Sequence, residues 1–424
     1  MQTAIDELET KGKAARKAAR LLAKLRTDVK NRALVNIADG LKSRQEEILA
    51  ANDRDCEAGR NNGLSEAIMD RLLLNPQRME GIEAEVRSVA TLPDPVAESF
   101  DMRTMPNGLQ VGKSRVPLGI IAAIYESRPN VTVDISALCL KSGNATILRG
   151  GKEAIHSNTA LVKLIKDSIA AAGVPEEAVQ FIESTDRALV GRMLKMKDSI
   201  DLIIPRGGQE LIRRVAAEAA MPAITGGVGV CHTYVDKTAD IDMAVNIAYN
   251  AKVQMPSVCN ALDTLVMHST VAPACLLPLA KRWASAGVEM HCDRRALSIL
   301  GPVDGLRAIP ATEEDWGTEF LSLTAAVKVV DSLEEALRHI EVFGSGHSEA
   351  IVTEDYSASM RFLDEVDSSA VFVNTSTRFN DGGQLGLGAE VAISTNKIHA
   401  RGPMGLRELT SYKWVVLGRG QVRT

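Results

Sequence analysis

The chain has 424 residues, 45% of them apolar and 24% charged, which is ordinary globular usage and excludes a disordered tail or a fibrous repeat. At about 150 residues per domain the length predicts two to three domains. Lys plus Arg at 49 against Asp plus Glu at 54 leaves a formal charge of −5; that is no electrostatic footprint for nucleic acid, so a small-molecule partner is expected.

The first ninety residues read as helical, with Leu21, Leu22 and Leu25 followed by Leu34, Ile37 and Leu41 at helical intervals and breaks at Pro76 and Pro93. The Lys/Arg/Ala-rich stretch over 11–24 follows Asp6, Glu7 and Glu9, and no apolar signal core comes after it, so no targeting leader is read there. No apolar run approaches the roughly 18 residues that cross a bilayer. The six cysteines, Cys56, Cys139, Cys231, Cys259, Cys275 and Cys292, are scattered without CxxC pairs; they read as reduced thiols of a cytoplasmic protein.

Strands are predicted over 111–116, 119–124 and 145–148, the last beside the turn dipeptide Gly143-Asn144. From Ser157 or Asn158 as N-cap, Leu161, Leu164, Ile165 and Ile169 draw one apolar stripe on a helix that stops at Gly173 before Pro175. The alternation continues with strands over 201–204, 233–235, 263–267, 326–330, 350–353 and 370–373, and helices over 209–219, 241–250, 333–341 and 357–365. Such alternation predicts an α/β fold of largely parallel sheets with sites at strand C-terminal ends. The Gly-rich stretch over 381–388 reads as a long functional loop.

Two common phosphate signatures fail. Gly226-Gly227-Val228-Gly229 lacks the third glycine of G-x-G-x-x-G, and Gly112-Lys113-Ser114 would need a glycine at Asn107 and a helix where Pro117 stands. What remains is Asp201-Leu202-Ile203-Ile204-Pro205-Arg206-Gly207-Gly208 before a helix, where free N–H groups and the positive dipole end would attract a pyrophosphate. A second basic-glycine cluster, Arg149-Gly150-Gly151-Lys152, ends another strand, and a parallel sheet would bring both clusters to one edge. The third feature is Gln254-Met255-Pro256-Ser257-Val258-Cys259-Asn260, a loop cysteine that is either a thiolate nucleophile or an inert buried thiol.

These pieces, in this order, resemble the aldehyde dehydrogenase superfamily and, more narrowly, its γ-glutamyl phosphate reductases. The resemblance spans nearly the whole chain, from Val116-Pro117-Leu118-Gly119-Ile120 through Glu126-Ser127-Arg128-Pro129-Asn130 and Lys141-Ser142-Gly143-Asn144 to Met255-Pro256-Ser257-Val258-Cys259. It continues through Gly346-His347-Ser348-Glu349 and Asn374-Thr375-Ser376-Thr377-Arg378-Phe379 to Arg401-Gly402-Pro403-Met404-Gly405. It implies an aldehyde dehydrogenase-like fold of two Rossmann-like α/β domains and a small β bridging or oligomerisation element. The implied division is 1–103 and 118–229 for NADPH binding, 230–388 for catalysis, and 104–117 with 389–424 for the bridge.

The resemblance places the nucleophile at Cys259 and NADPH against Arg149, Gly150, Lys152, Arg206, Gly207, Gly208 and Gly226, with Glu319 on the nicotinamide ribose. It implies reduction of L-glutamyl 5-phosphate to L-glutamate 5-semialdehyde in proline biosynthesis, a homo-oligomer, no metal, and transient contact with glutamate 5-kinase. Oxidising members carry a water-activating glutamate in Glu-Leu-Gly-Gly; the matching segment here is Ile224-Thr225-Gly226-Gly227. Loss of that base suits an acyl-thioester kept dry until hydride arrives. The oxyanion asparagine of the wider family has no unambiguous match; Asn130 is the candidate, Arg128 and Arg378 are candidates for the negative ends of the substrate, and a CoA-acylating enzyme or a non-catalytic nucleotide-binding partner of the kinase are the rival readings.

Overall fold

The computed structural model describes residues 2–226, 228–301 and 305–423, without the side chains of residues 2–6 and 67; Gly227 of the glycine segment lies outside the described residues. The chain divides into two compact units, one of Met1–Thr225, Gly386–Ala392 and Met404–Thr424, the other of Gly226–Leu385 and Ile393–Pro403. Residues 104–117 thus fold within the first unit, and the C-terminal tail is shared between the two.

In the first unit, helices Gln2–Leu22, Thr27–Ser43, Gln45–Asn61, Glu66–Leu72 and Pro76–Thr91 precede a four-stranded parallel sheet. Its order is Val179–Phe181, Ala145–Gly150, Ile120–Tyr125, Leu202–Arg206. Every residue of Ile120–Tyr125 is buried, as an unbroken apolar run with both faces covered should be. Ile120, Ala122 and Ile124 pack with Leu8, Ala15 and Ala19 of the first helix. Opposite Ile124 and its neighbours, Tyr125 turns its hydroxyl to Thr132 Oγ1 at 2.6 Å.

Two helices differ from expectation. The helix expected from Ser157 or Asn158 begins at Ile155, because the Asp55 carboxylate reaches in from the helix Gln45–Asn61 and accepts from Ser157 N at 2.7 Å and Ser157 Oγ at 2.6 Å. A carboxylate brought from elsewhere in the chain does the work of a local N-cap. The helix Pro129–Lys141 was not anticipated; eleven of its thirteen residues are buried, so it has no polar face to reveal a 3.6-residue period.

A separate antiparallel sheet in this unit sets Gln110–Pro117 between Ser99–Thr104 and Thr410–Leu417. The C-terminal strand therefore completes a sheet begun some three hundred residues earlier, pairing Thr410 with Pro117 and Leu417 with Gln110.

The second unit is built on a seven-stranded parallel sheet, ordered Arg307–Pro310, Glu289–Cys292, Thr324–Val330, Leu262–His268, Cys231–Val235, Ser348–Val352, Ala370–Val373. One face packs Leu262, Leu265 and Met267 on Leu276, Leu279 and Trp283 of the helix Ala272–Ser285. The other sets Tyr234, Val266 and Ile351 on Ile340 and Phe362. Asp240, Asp293 and Ser332 cap the helices that follow them by accepting from Met243, Ala296 and Glu335 amides. After the last strand the chain doubles back along the sheet: Asn374 Nδ2 donates to Thr353 O at one end of Ser348–Val352, and Asn380 Nδ2 to Ser348 Oγ at the other.

Candidate active site

In the first unit, register decides what meets at the sheet edge. Tyr125 lies level with Gly150 on one side and Arg206 on the other, so both basic-glycine clusters emerge at the same C-terminal edge, with Glu126, Ser127 and Arg128 between them. They open onto a cleft of about 630 Å³, within the range of small-molecule sites. Arg71, Arg128, Arg149, Lys152 and Arg187 line it against Glu126 and Glu153, along with Gly151, Gly207 and Gly208. Arg149 is buried, gives Nη2 to Thr185 O at 3.2 Å, and has an Nε with no hydrogen-bond partner among the described residues. Five cations, one of them a buried guanidinium with an unpaired Nε, fit a ligand bearing several phosphates.

One expected feature differs. The Gly208 amide at the start of the helix Gln209–Glu218 already donates to Glu126 Oε2 at 3.0 Å. The positive end of that helix has drawn a carboxylate of the chain itself, so a phosphate reaching this amide must displace Glu126. Arg206 is not among the cleft-lining residues. Gly150 leaves room for Asn158, whose Nδ2 would lie 2.1 Å from an added Cβ.

Asn130 sits in the first turn of the helix Pro129–Lys141, which Arg128 precedes. Its Nδ2 donates to Asp134 Oδ2 at 2.9 Å, which leaves the second amide hydrogen for another acceptor. Burial and, next, the charge of Glu85 push the Asp134 carboxyl up to about 7.

In the second unit, the loop that carries Cys259 runs from the helix Ile241–Val253 into the strand Leu262–His268. Cys259 thus lies at the N-terminal end of a central strand, not at the C-terminal edge expected from sheet topology alone. Of the six cysteines, Cys259 is partly exposed and the other five are buried. Burial lifts the thiols of Cys139, Cys275 and Cys292 to about 12 and that of Cys231 well above its ordinary value, so these remain unreactive thiols.

The backbone at Cys259 is held from two sides. Cys231 Sγ donates to Cys259 O at 3.1 Å. Gly229 packs so closely that an added Cβ would stand 2.0 Å from Cys259 O, and only glycine fits there. On the other side Thr377 Oγ1 donates to Asn260 O at 2.8 Å, and Asn260 Nδ2 to Asn380 O at 3.0 Å. The Arg378 guanidinium donates through Nε to Gln254 Oε1 at 2.7 Å and through Nη1 to Asn260 Oδ1.

Glu319 Oε1 accepts from the Gly229 amide at 3.0 Å. The next residue is fixed by Asp263, which takes Phe320 N at 3.1 Å and Cys231 N at 3.4 Å and pairs with the buried Lys252. Gly226 is accounted for by Ile393 O, 2.3 Å from where a Cβ would be. Sequence reasoning missed Gln254, Gly229, Cys231 and His347 as parts of this surrounding. Gln254 stood in the quoted motif; the others are brought in by strand pairing and leave no local signal. His347 bonds Ser348 Oγ through Nδ1 at 2.8 Å, and burial pushes its imidazole down to about 4, so it is neutral.

Comparison with known proteins agrees in family and in fold. The aldehyde dehydrogenase family model matches residues 3–304. The γ-glutamyl phosphate reductase of Dehalococcoides mccartyi strain CBDB1 is 58% identical over 423 residues, all of both chains. That of Roseiflexus castenholzii is 55% identical over 98% of this chain and 99% of its own. The crystal structure of γ-glutamyl phosphate reductase from Thermotoga maritima superposes with a TM-score of 0.95 at 45% identity, covering 99% of this chain and all of that one. An acetylating aldehyde dehydrogenase from Geobacillus thermoglucosidasius shares the fold at 18% identity and a TM-score of 0.70, over 100% of this chain and 99% of its own.

Proposed function

This chain belongs to the aldehyde dehydrogenase family and, within it, to the γ-glutamyl phosphate reductases; on that premise we propose that it reduces L-glutamyl 5-phosphate to L-glutamate 5-semialdehyde and phosphate in proline biosynthesis. The observation that carries the reading is the fixation of Cys259, the one partly exposed cysteine, by Gly229, Cys231 and the Thr377–Asn260 contact. A nucleophile held in one geometry is what an acyl-transfer step needs.

The Cys259 thiolate attacks the γ-acyl carbon: a C–S bond forms, the bond to the phosphate oxygen breaks, and a glutamyl thioester remains. The nicotinamide cofactor of this family supplies hydride to such a thioester when bound. Reduction leaves an oxyanion on the carbon attached to Cys259; its collapse breaks the C–S bond, frees the aldehyde and restores the thiolate. The Cys259 backbone N–H and Asn130 are the donors we assign to the oxyanion. Arg128 and Arg378 are assigned to the anionic ends of the substrate. Ile224-Thr225-Gly226 offers no carboxylate to activate water, which spares the thioester from hydrolysis.

NADPH is the form of cofactor we assign, held by Arg149, Lys152, Gly207 and Gly208 in the cleft, with Gly150 and Arg206 at the ends of the strands that lead to it and Gly226 and Glu319 toward its nicotinamide end. The support for a 2′-phosphate is the excess of cations in the cleft of the first unit. A homo-oligomer, transient contact with the upstream kinase and a cytoplasmic setting complete the reading. Among the described residues no helix is long and apolar enough to cross a membrane.

The test is a reverse-direction assay with glutamate semialdehyde, run with phosphate or CoA and with NADP or NAD. Phosphate-dependent NADP reduction is the expected result. A requirement for CoA would replace this reading with that of an acylating aldehyde dehydrogenase.

A further inference from the structure

Cys259 must be a thiolate to attack, and the groups behind it do not supply the charge that would hold it so. Cys231, beneath the loop, is kept a neutral thiol by burial, and His347 is kept a neutral imidazole by the same cause. The imidazolium that activates many cysteine nucleophiles is therefore not what His347 provides. Lys252, close by in sequence, is turned to Ser322 O at 3.1 Å and to Asp263.

Arg378 differs from these. Its guanidinium bonds the side chain of Asn260, the residue directly after Cys259, and that of Gln254 five residues before. Asn260 answers through Nδ2 to Arg378 O at 3.4 Å, and Thr377 Oγ1 donates to Asn260 O. The cation is thus gripped by the two ends of the nucleophile loop and fixed from its own backbone as well. Half-buried, it is pulled below the ordinary guanidinium range by desolvation and pushed back by negative charge at Asp381 and, next, at Cys259. Influence of this kind is mutual: a thiolate that favours the cation is favoured by it.

We propose that Arg378, clamped between Gln254 and Asn260, is the positioning charge that keeps Cys259 ionised, in addition to any contact it makes with substrate. The two jobs are compatible, since the clamp uses two of five guanidinium N–H donors and leaves three. Asp381 on the same segment is the acidic group facing this cation and tempers its effect. Gln254 and Asn260 are the parts that aim it.

This proposal rests on Cys259 being the nucleophile, and its test is chosen to stand apart from turnover. The rate of Cys259 alkylation by iodoacetamide, followed on the Cys259 peptide by mass spectrometry without substrate or cofactor, is measured against pH. Wild type is compared with Arg378→Gln, Arg378→Lys and Gln254→Leu. The expected result is a midpoint displaced upward by about one unit or more in Arg378→Gln, hence roughly tenfold slower alkylation near pH 7. Arg378→Lys, which keeps the charge and loses the fork, should recover most of the midpoint, and Gln254→Leu should shift it in the same direction by less. A midpoint unmoved in Arg378→Gln, with only KM for the acyl phosphate raised, overturns the proposal and leaves Arg378 a substrate contact. An equal shift in Arg378→Lys and Arg378→Gln also overturns it, because loop disorder and not charge would then be responsible. Failure of the nucleophile assignment itself would show separately, as turnover that survives Cys259→Ala.

Discussion

At the residue scale, the candidate site depends on close approaches more than on exposed charges. Gly229 brings the backbone before Cys231–Val235 under Cys259, with no space for a methyl group. Gly229→Ala must move the loop; overpacking of this kind costs about 1–3 kcal/mol, and a shift of the nucleophile lowers kcat by about a hundredfold. Thermal melts and steady-state kinetics on that variant check both, and unchanged kcat would refute the close approach as a positioning device. The motif around Cys259 stands out in the sequence because Gln254, Cys259 and Asn260 are neighbours there, although the sequence does not show what Gln254 bonds. Gly229, Cys231 and His347 were not, because they become neighbours of Cys259 only when their strands enter one sheet.

A buried histidine also makes stability depend on pH. His339 lies among His232, Trp316 and Phe343, and burial, then the charges of His232 and Lys328, pushes its imidazole down to about 3. Its unfolded value is the ordinary 6.5 or so, so the unfolded chain takes up the proton first as pH falls. The stability tied to neutral His339 is whole above about 6.5 and drains as pH falls from there toward about 3. Linkage gives a loss of about 1 kcal/mol between pH 7 and 5.5. His339→Phe should remove that part of the acid sensitivity, read from urea midpoints at the two pH values; a slope equal to wild type contradicts it.

At the element scale, the alternating strands and helices were legible where each strand is apolar and each helix has one polar face. The strand over 326–330 and the helix over 333–341 emerge as Thr324–Val330 and Leu333–Phe343. The helix Pro129–Lys141 was hidden by its own burial, and the start of Ile155–Ala171 by a cap supplied from Asp55. The strand Thr410–Leu417 raises a further question. It is an edge strand, yet Tyr412, Trp414, Val416 and Leu417 are each about half exposed, and Lys113 lies 4.7 Å from the Tyr412 ring centre and 5.2 Å from that of Trp414. Long apolar edges are normally covered, which supports assigning this face to the proposed homo-oligomer. Light scattering on Trp414→Asp should then report a smaller species than wild type, and an identical mass would remove the support.

At the scale of the whole molecule, a chain of net charge −5 has to attract an anionic substrate and an anionic cofactor. On the proposed reading it does so by concentrating cations locally: Arg128, Arg149 and Lys152 share one cleft with Arg71 and Arg187 in the first unit, while Arg378 is bonded to the loop that carries Cys259 in the second. The length of the chain indicated more than one domain, but not that both units would be discontinuous. That follows from the C-terminal chain giving Ile393–Pro403 to the second unit before its last strand returns to Gln110–Pro117 of the first, a pairing with no local sequence signature. The central claim is that the reaction passes through an acyl group on Cys259. Its most direct test is to generate glutamyl 5-phosphate in place with the kinase, ATP and glutamate, withhold the nicotinamide, quench in acid and weigh the intact protein. One glutamyl group added to wild type, mapped to the Cys259 peptide and missing from Cys259→Ala, is the expected result. An unmodified wild-type protein that still turns over when cofactor is restored, or an adduct on another residue, would contradict it.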